Sequence, residues 1–149
     1  MGRTFTALTI VAVLVCATAG AGTGRAEGVK GVWRTEGGKS HVKIDDCGDK
    51  LCGKIVWLKE PLDDAGAPKT DHNNPDEGLR KRPIFGLPLL QGFSDGDEPN
   101  VWQGGTIYNP EDGETYKSVM TLLSADELKV RGYVGLPLFG KSQLWNRVK

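Results

Sequence analysis

The chain has few of the side chains that usually do chemistry. Its 149 residues include two histidines and three cysteines. A hydrolase triad needs serine, histidine and an acid held together, and no Gly-x-Ser-x-Gly turn marks a nucleophile. His41 falls on the polar side of an alternating stretch beside Lys43, and His72 lies among acids. No catalytic residue is assigned on these grounds. Excess charge is missing too: 19 basic side chains face 19 acidic ones, so no global field points to nucleic acid or to an acidic surface. No segment carries a clear helical period, which excludes a helix bundle. The chain is long enough for one domain with its own core.

The one long apolar run is at the N-terminus. Arg3 precedes an uncharged, mostly apolar stretch over 7–19, and small residues follow as far as Ala26. That order predicts a signal peptide over 1–26, too short to serve as a membrane span. Cleavage is expected after Ala26, with Ala21 as the second choice. Cys16 follows Val15, not the small residue expected before a lipid-bearing cysteine. Loss of 1–26 removes Arg3, Arg25 and one cysteine, so 17 basic side chains face 19 acidic ones in residues 27–149. The two remaining cysteines, Cys47 and Cys52, flank a turn. In an exported chain such a pair predicts a disulfide, because neither further metal ligands nor a Cys-x-x-Cys pattern is nearby. A periplasmic or secreted protein is therefore expected, with no integral membrane span after cleavage.

What remains is written in strands and turns. Residues 102–148 form a meander: 102–108, a turn at Asn109-Pro110-Glu111-Asp112-Gly113, then 115–122, 128–134 and 139–148. Over 115–122, Tyr116, Ser118, Met120 and Leu122 alternate with Thr115, Lys117, Val119 and Thr121, the period of a half-buried strand. Upstream, 31–34 opens a strand, and 40–45 and 51–58 make a hairpin with the cysteines at its tip. From 59 to 82 the periodicity is replaced by Asp, Asn, Pro and Gly, a long polar loop. Loops of that length in a compact domain are usually functional or disordered. The run 84–93 is interrupted by Gly86 and Pro88 and suggests a buried edge strand or a crossing segment. The whole predicts an all-β antiparallel barrel of about eight strands.

Several stretches resemble one family. They are Gly31-Val32-Trp33-Arg34, Leu51-Cys52-Gly53-Lys54-Ile55, Asp71-His72-Asn73-Asn74-Pro75, Leu87-Pro88-Leu89-Leu90-Gln91-Gly92-Phe93, Tyr108-Asn109-Pro110 with Asp112-Gly113, Arg131-Gly132-Tyr133 and Trp145-Asn146-Arg147. They resemble the small exported bacterial proteins called domain of unknown function 2147. The resemblance spans nearly all of 27–149 and implies a calycin fold, a lipocalin-like barrel, with a periplasmic or secreted location. It implies no activity. It also implies that Arg147 packs across Trp33 and closes one end of the barrel.

The first functional expectation is a binding barrel for a small apolar or amphipathic molecule with a polar or anionic head. Candidate ligand contacts are Arg131, Tyr133, Arg82, Tyr108, Tyr116 and Trp102. Arg131 and Tyr133 share a strand face; alternation turns that face outward if Leu128 and Val130 are buried, and inward only if an anion meets the arginine. An envelope interaction protein with a filled barrel is the alternative, and an enzyme using loop 59–82 as a lid is the third. The loop acids lack the order of a calcium loop and suit turns, so no metal or cofactor is expected. Gly86-Leu87-Pro88-Leu89 and Gly135-Leu136-Pro137-Leu138 echo each other. Each is either an apolar lip or a plug.

Overall fold

A computed structural model describes residues 28–149; the expected signal peptide over 1–26 lies outside them. Eight antiparallel strands close into a barrel in chain order. They are β1 (Gly31–Arg34), β2 (Ser40–Cys47), β3 (Lys50–Leu58), β4 (Pro88–Asp95), β5 (Val101–Asn109), β6 (Glu114–Ser124), β7 (Glu127–Tyr133) and β8 (Lys141–Arg147). Closure rests on a short seam in which Trp33 faces Arg147 and Arg34 faces Asn146. The Val148 N–H, donating to the Val32 carbonyl at 2.8 Å, extends it. A closed ring leaves no strand edge unpaired.

One expectation is corrected. The run 84–93 is not an edge: β4 starts at Pro88 and pairs with both β3 and β5. Its broken pattern has a local cause, because the register against β3 shifts on both sides of Gly53. Pro88 takes the first strand position, where a missing N–H costs least.

Residues paired directly across a sheet share a face. The inner face runs through Trp33, Val42, Ile55, Gly53, Leu90, Ile107 and Tyr116, and through Trp102, Met120, Val130, Leu128 and Trp145. Trp33, Trp102, Trp145, Phe93, Leu90 and Met120 on this face are all buried to 1% exposure or less. Phe93 lies so close to β5 that a Cβ on Gly105 would sit 2.4 Å from its ring. Large rings on this face are set against bare backbone.

The end holding Gly28 and Val148 is shut. The Trp33 indole donates to the Val29 carbonyl at 2.8 Å. The Arg147 guanidinium stacks 4.2 Å above the Trp33 ring. It donates to the carbonyls of Gly28 at 2.5 Å, Lys30 at 2.8 Å and Ala125 at 2.6 Å. Gly31 makes this possible. Its φ is +130°, and a Cβ there would lie 2.7 Å from an Arg147 nitrogen. The opposite end carries the connections 35–39, 59–87, 110–113 and 134–140.

Cys47 and Cys52 are joined at the β2–β3 tip, with their Cα atoms 5.8 Å apart. Closing so small a loop stabilises the fold by about 2 kcal/mol in the chain-entropy view. Reduction should lower the unfolding free energy by that amount in wild type and leave a Cys47→Ser/Cys52→Ser double variant unmoved. Equal midpoints for oxidised and reduced wild type would refute a stabilising role.

Candidate functional site

A cluster of polar groups converges on the outside of the barrel. On β5, Ile107 points inward, so Thr106 and Tyr108 point out. Thr106 faces Gln91 on β4, and Tyr108 faces Thr115 on β6. Tyr108 is nevertheless buried, because the long connection after β3 folds back over this wall.

Turn chemistry shapes that connection. Asp63 Oδ1 accepts from the N–H groups of Ala65 and Ala67 at 3.0 and 2.9 Å. Leu62 bridges to Pro68 and Thr70 to Pro83. The Asp76 side chain caps the 3-10 turn Glu77–Leu79 by accepting from Gly78 N–H at 2.8 Å. These acids build turns, as Asp does by bonding its own backbone. Among the described residues, no three His, Cys, Asp or Glu side chains group as a metal site.

Asp71 is the anchor. It is fully buried and accepts three side-chain donors: the Tyr108 hydroxyl at 2.6 Å, Asn74 Nδ2 at 2.8 Å and Arg82 Nε at 2.9 Å. A second Arg82 nitrogen lies 2.8 Å from the same carboxylate. Asn74 Nδ2 also reaches the Tyr108 oxygen at 3.2 Å, and the Arg82 guanidinium sits 5.5 Å over the Tyr108 ring. Burial pushes the Asp71 carboxyl up, but bonds from Tyr108, Asn74 and Arg82, with the Arg82 charge, outweigh it and hold the group below its ordinary value. Tyr108 is pushed up, first by burial and then by the Asp71 carboxylate. Asp71 is therefore the charged acceptor and Tyr108 the donor. A second clasp lies beside it: Asn73 Nδ2 donates to the carbonyls of Pro110 and Glu111 at 3.2 and 2.9 Å. Gly113 (φ +77°) lets the β5–β6 turn pass beneath, since a Cβ would meet the Asn73 carbonyl oxygen at 2.0 Å.

Between the connection and the wall runs a cleft of about 340 Å³. Pro75, Leu79 and Pro88 give it apolar sides; Arg82, Asn74, Gln91 and Thr106 give it hydrogen-bonding groups. A second cleft of about 340 Å³ lies along the β1–β8 seam by Arg34, Glu36 and Leu144.

Of the six expected contacts, Arg82 and Tyr108 come together here. Tyr116 faces inward near the barrel end and donates to Asp112 at 2.9 Å. Trp102 is part of the packed interior. Arg131 pairs with Val119 and Ser142, on the outer face with Tyr133. Its guanidinium donates to the Pro137 and Leu138 carbonyls at 2.6 and 3.0 Å and to the Ser142 hydroxyl at 2.8 Å. It braces a turn and does not reach the interior. His41 stacks on Trp57 at 4.3 Å, and burial, then the Arg34 charge, lowers its pKa. His72 lies exposed, 3.2 Å from the Thr70 carbonyl. The Leu-Pro echoes part company: Leu87 and Leu89 are buried, whereas Leu136 and Leu138 are exposed. Sequence reasoning met Asp71 only as one of the loop acids set aside as calcium ligands, and passed over Asn74, Gln91 and Thr106. Asp71 and Asn74 stand within the stretch 71–75, and Gln91 within 87–93, both of which carry the family resemblance.

The solved structure of protein HP1028 from Helicobacter pylori, described as belonging to the lipocalin family, is similar to this chain. The TM-score is 0.69 and the identity 24%, over 80% of this chain and 82% of that one. Such a likeness shows the fold, a lipocalin-like barrel. No curated protein sequence matches the chain significantly. A family described as "Uncharacterized protein conserved in bacteria (DUF2147)" matches over residues 31–147. It takes in every strand from β1 to β8 and both clasps of the outer cleft, and the chain belongs to that family.

Proposed function

We propose that this is an exported binding protein that holds one small amphipathic molecule in the outer cleft, under the connection 59–87. The observation that carries this reading is the Asp71–Arg82–Tyr108–Asn74 cluster beside apolar sides. Arg82 has five N–H groups and spends two nitrogens on Asp71; its side chain stays 30% exposed. It can still donate to a carbonyl, hydroxyl or carboxylate head, while Leu79 and the two prolines cover an apolar body. The volume falls within the range of small-molecule sites. The N-terminal run over 7–19 and the disulfide favour export. Buried Trp33, Trp102, Trp145, Phe93 and Met120 on the inner face support setting the expected ligand against the outer wall and not inside the barrel.

The test is titration of a dansyl-labelled fatty acid. Wild type should bind it, and Thr106→Trp, which fills the cleft from the wall without touching Asp71, should bind at least tenfold more weakly. A folded wild type that does not bind, or a variant that binds equally, would overturn the reading. The packed interior also favours a second reading, an envelope interaction protein.

A further inference from the structure

The β7–β8 connection carries an observation that the cleft does not use. We propose that it is a membrane-contact finger, docking the barrel on an anionic phospholipid surface. Val134, Leu136, Leu138 and Phe139 are 74, 63, 78 and 76% exposed. Single exposed apolar side chains are ordinary; four within six consecutive residues mark a contact surface. Phe85, 60% exposed, lies in a connection at the same barrel end.

The finger is held in shape. Phe139 N–H donates to the Leu136 carbonyl and Gly140 N–H to the Pro137 carbonyl, each at 3.1 Å, forming the 3-10 turn Pro137–Phe139. Arg131 braces it from the barrel wall by the bonds to Pro137 and Leu138. These bonds fix the turn while its side chains are left uncovered. Composition alone does not explain this, because the same Gly-Leu-Pro-Leu sequence at 86–89 buries both its leucines.

Charge selects the occupant. Arg131 and Lys141 bracket the finger, and Lys117 faces Tyr133 just below it. No acidic residue occurs from Leu128 to the C-terminus. Glu36, on the neighbouring β1–β2 turn, accepts from Leu144 N–H at 3.4 Å, and Asp112 and Glu114 lie on the β5–β6 side of the same barrel end. An apolar tip with a basic collar suits the boundary between acyl chains and phosphates, where each cation near an anionic surface adds attraction. A second copy docked tip to tip would bring Arg131 and Lys141 of the two copies together.

Flotation of residues 27–149, which close on a core of their own, tests the proposal. Vesicles of phosphatidylglycerol and phosphatidylethanolamine should carry the protein up at low salt; phosphatidylcholine vesicles should carry at least tenfold less. Leu138→Ser/Phe139→Ser should abolish flotation without shifting the melting temperature, because both side chains are solvent-exposed. Phe139→Trp should add a blue-shifted emission component when anionic vesicles are added. Thr106→Trp should float like wild type, which separates the finger from the cleft. Failure of wild type to float, equal flotation of the double variant, or equal binding to phosphatidylcholine would overturn the proposal. So would a dimer that the double variant dissolves while vesicles stay bare.

Discussion

Asp71→Asn should lower stability by about 3 kcal/mol, because it leaves Arg82 without its charge partner and gives Tyr108 a poorer acceptor. Removing one member of a buried pair costs roughly 3–5 kcal/mol, and the partial exposure of Arg82 puts this case at the lower end. For a domain of this size that is on the order of 10 °C in melting temperature. The effect depends on pH with a definite sign. The folded protein holds the Asp71 carboxyl below its ordinary value. Its stabilisation is therefore complete above the ordinary carboxylate pKa of about 4, and is lost as pH falls through the lowered folded value. The gap between wild type and Asp71→Asn should be full near neutrality and should close in acid. Thermal melts across that range decide the matter: a gap that stays constant down to strong acid would show that the carboxylate charge is not what matters. Tyr108→Phe, which removes one donor and keeps the ring, should cost about 1 kcal/mol.

Arg147→Ala should cost about 2–4 kcal/mol, from two sources. One is the cation–π contact with Trp33, roughly 0.5–2 kcal/mol depending on desolvation. The other is the carbonyls of Gly28, Lys30 and Ala125, each left without its donor. Arg147→Lys should recover little of this. A single ammonium cannot reach three carbonyls while lying flat on an indole. Denaturant midpoints of the two variants test the point. A lysine variant as stable as wild type would mean that charge alone closes this end, and an unchanged alanine variant would remove the pair as a closure device. Ligand binding at the distant cleft should be retained in both.

The exposed finger and the outer cleft lie on separate parts of the barrel, so a bound amphipathic molecule and a lipid surface need not compete. Phospholipid itself has an apolar body and a polar head, the chemistry proposed for the cleft. The two tests remain independent, because Thr106→Trp addresses the wall and Leu138→Ser/Phe139→Ser the finger.

The sequence by itself determined the strands, because alternation and turn chemistry act over a few residues. Tyr116, Ser118, Met120 and Leu122 announce one face of β6, and Asn109 to Gly113 announces the turn before it. The cysteine pair and the partnership of Trp33 with Arg147 were also legible, the first from spacing and the second from the family resemblance. The outward direction of Arg131 followed once Leu128 and Val130 were taken as buried. Tertiary structure decided the rest. Asp71 meets Tyr108 across 37 residues of chain, and nothing local separates it from the loop acids that only form turns. Phe93 lies against Gly105, a contact between strands that neither segment encodes alone. The two Gly-Leu-Pro-Leu segments carry the same hydrophobicity yet differ in burial. Hydrophobicity states what burial would gain; the neighbouring elements determine whether anything is there to cover the side chain.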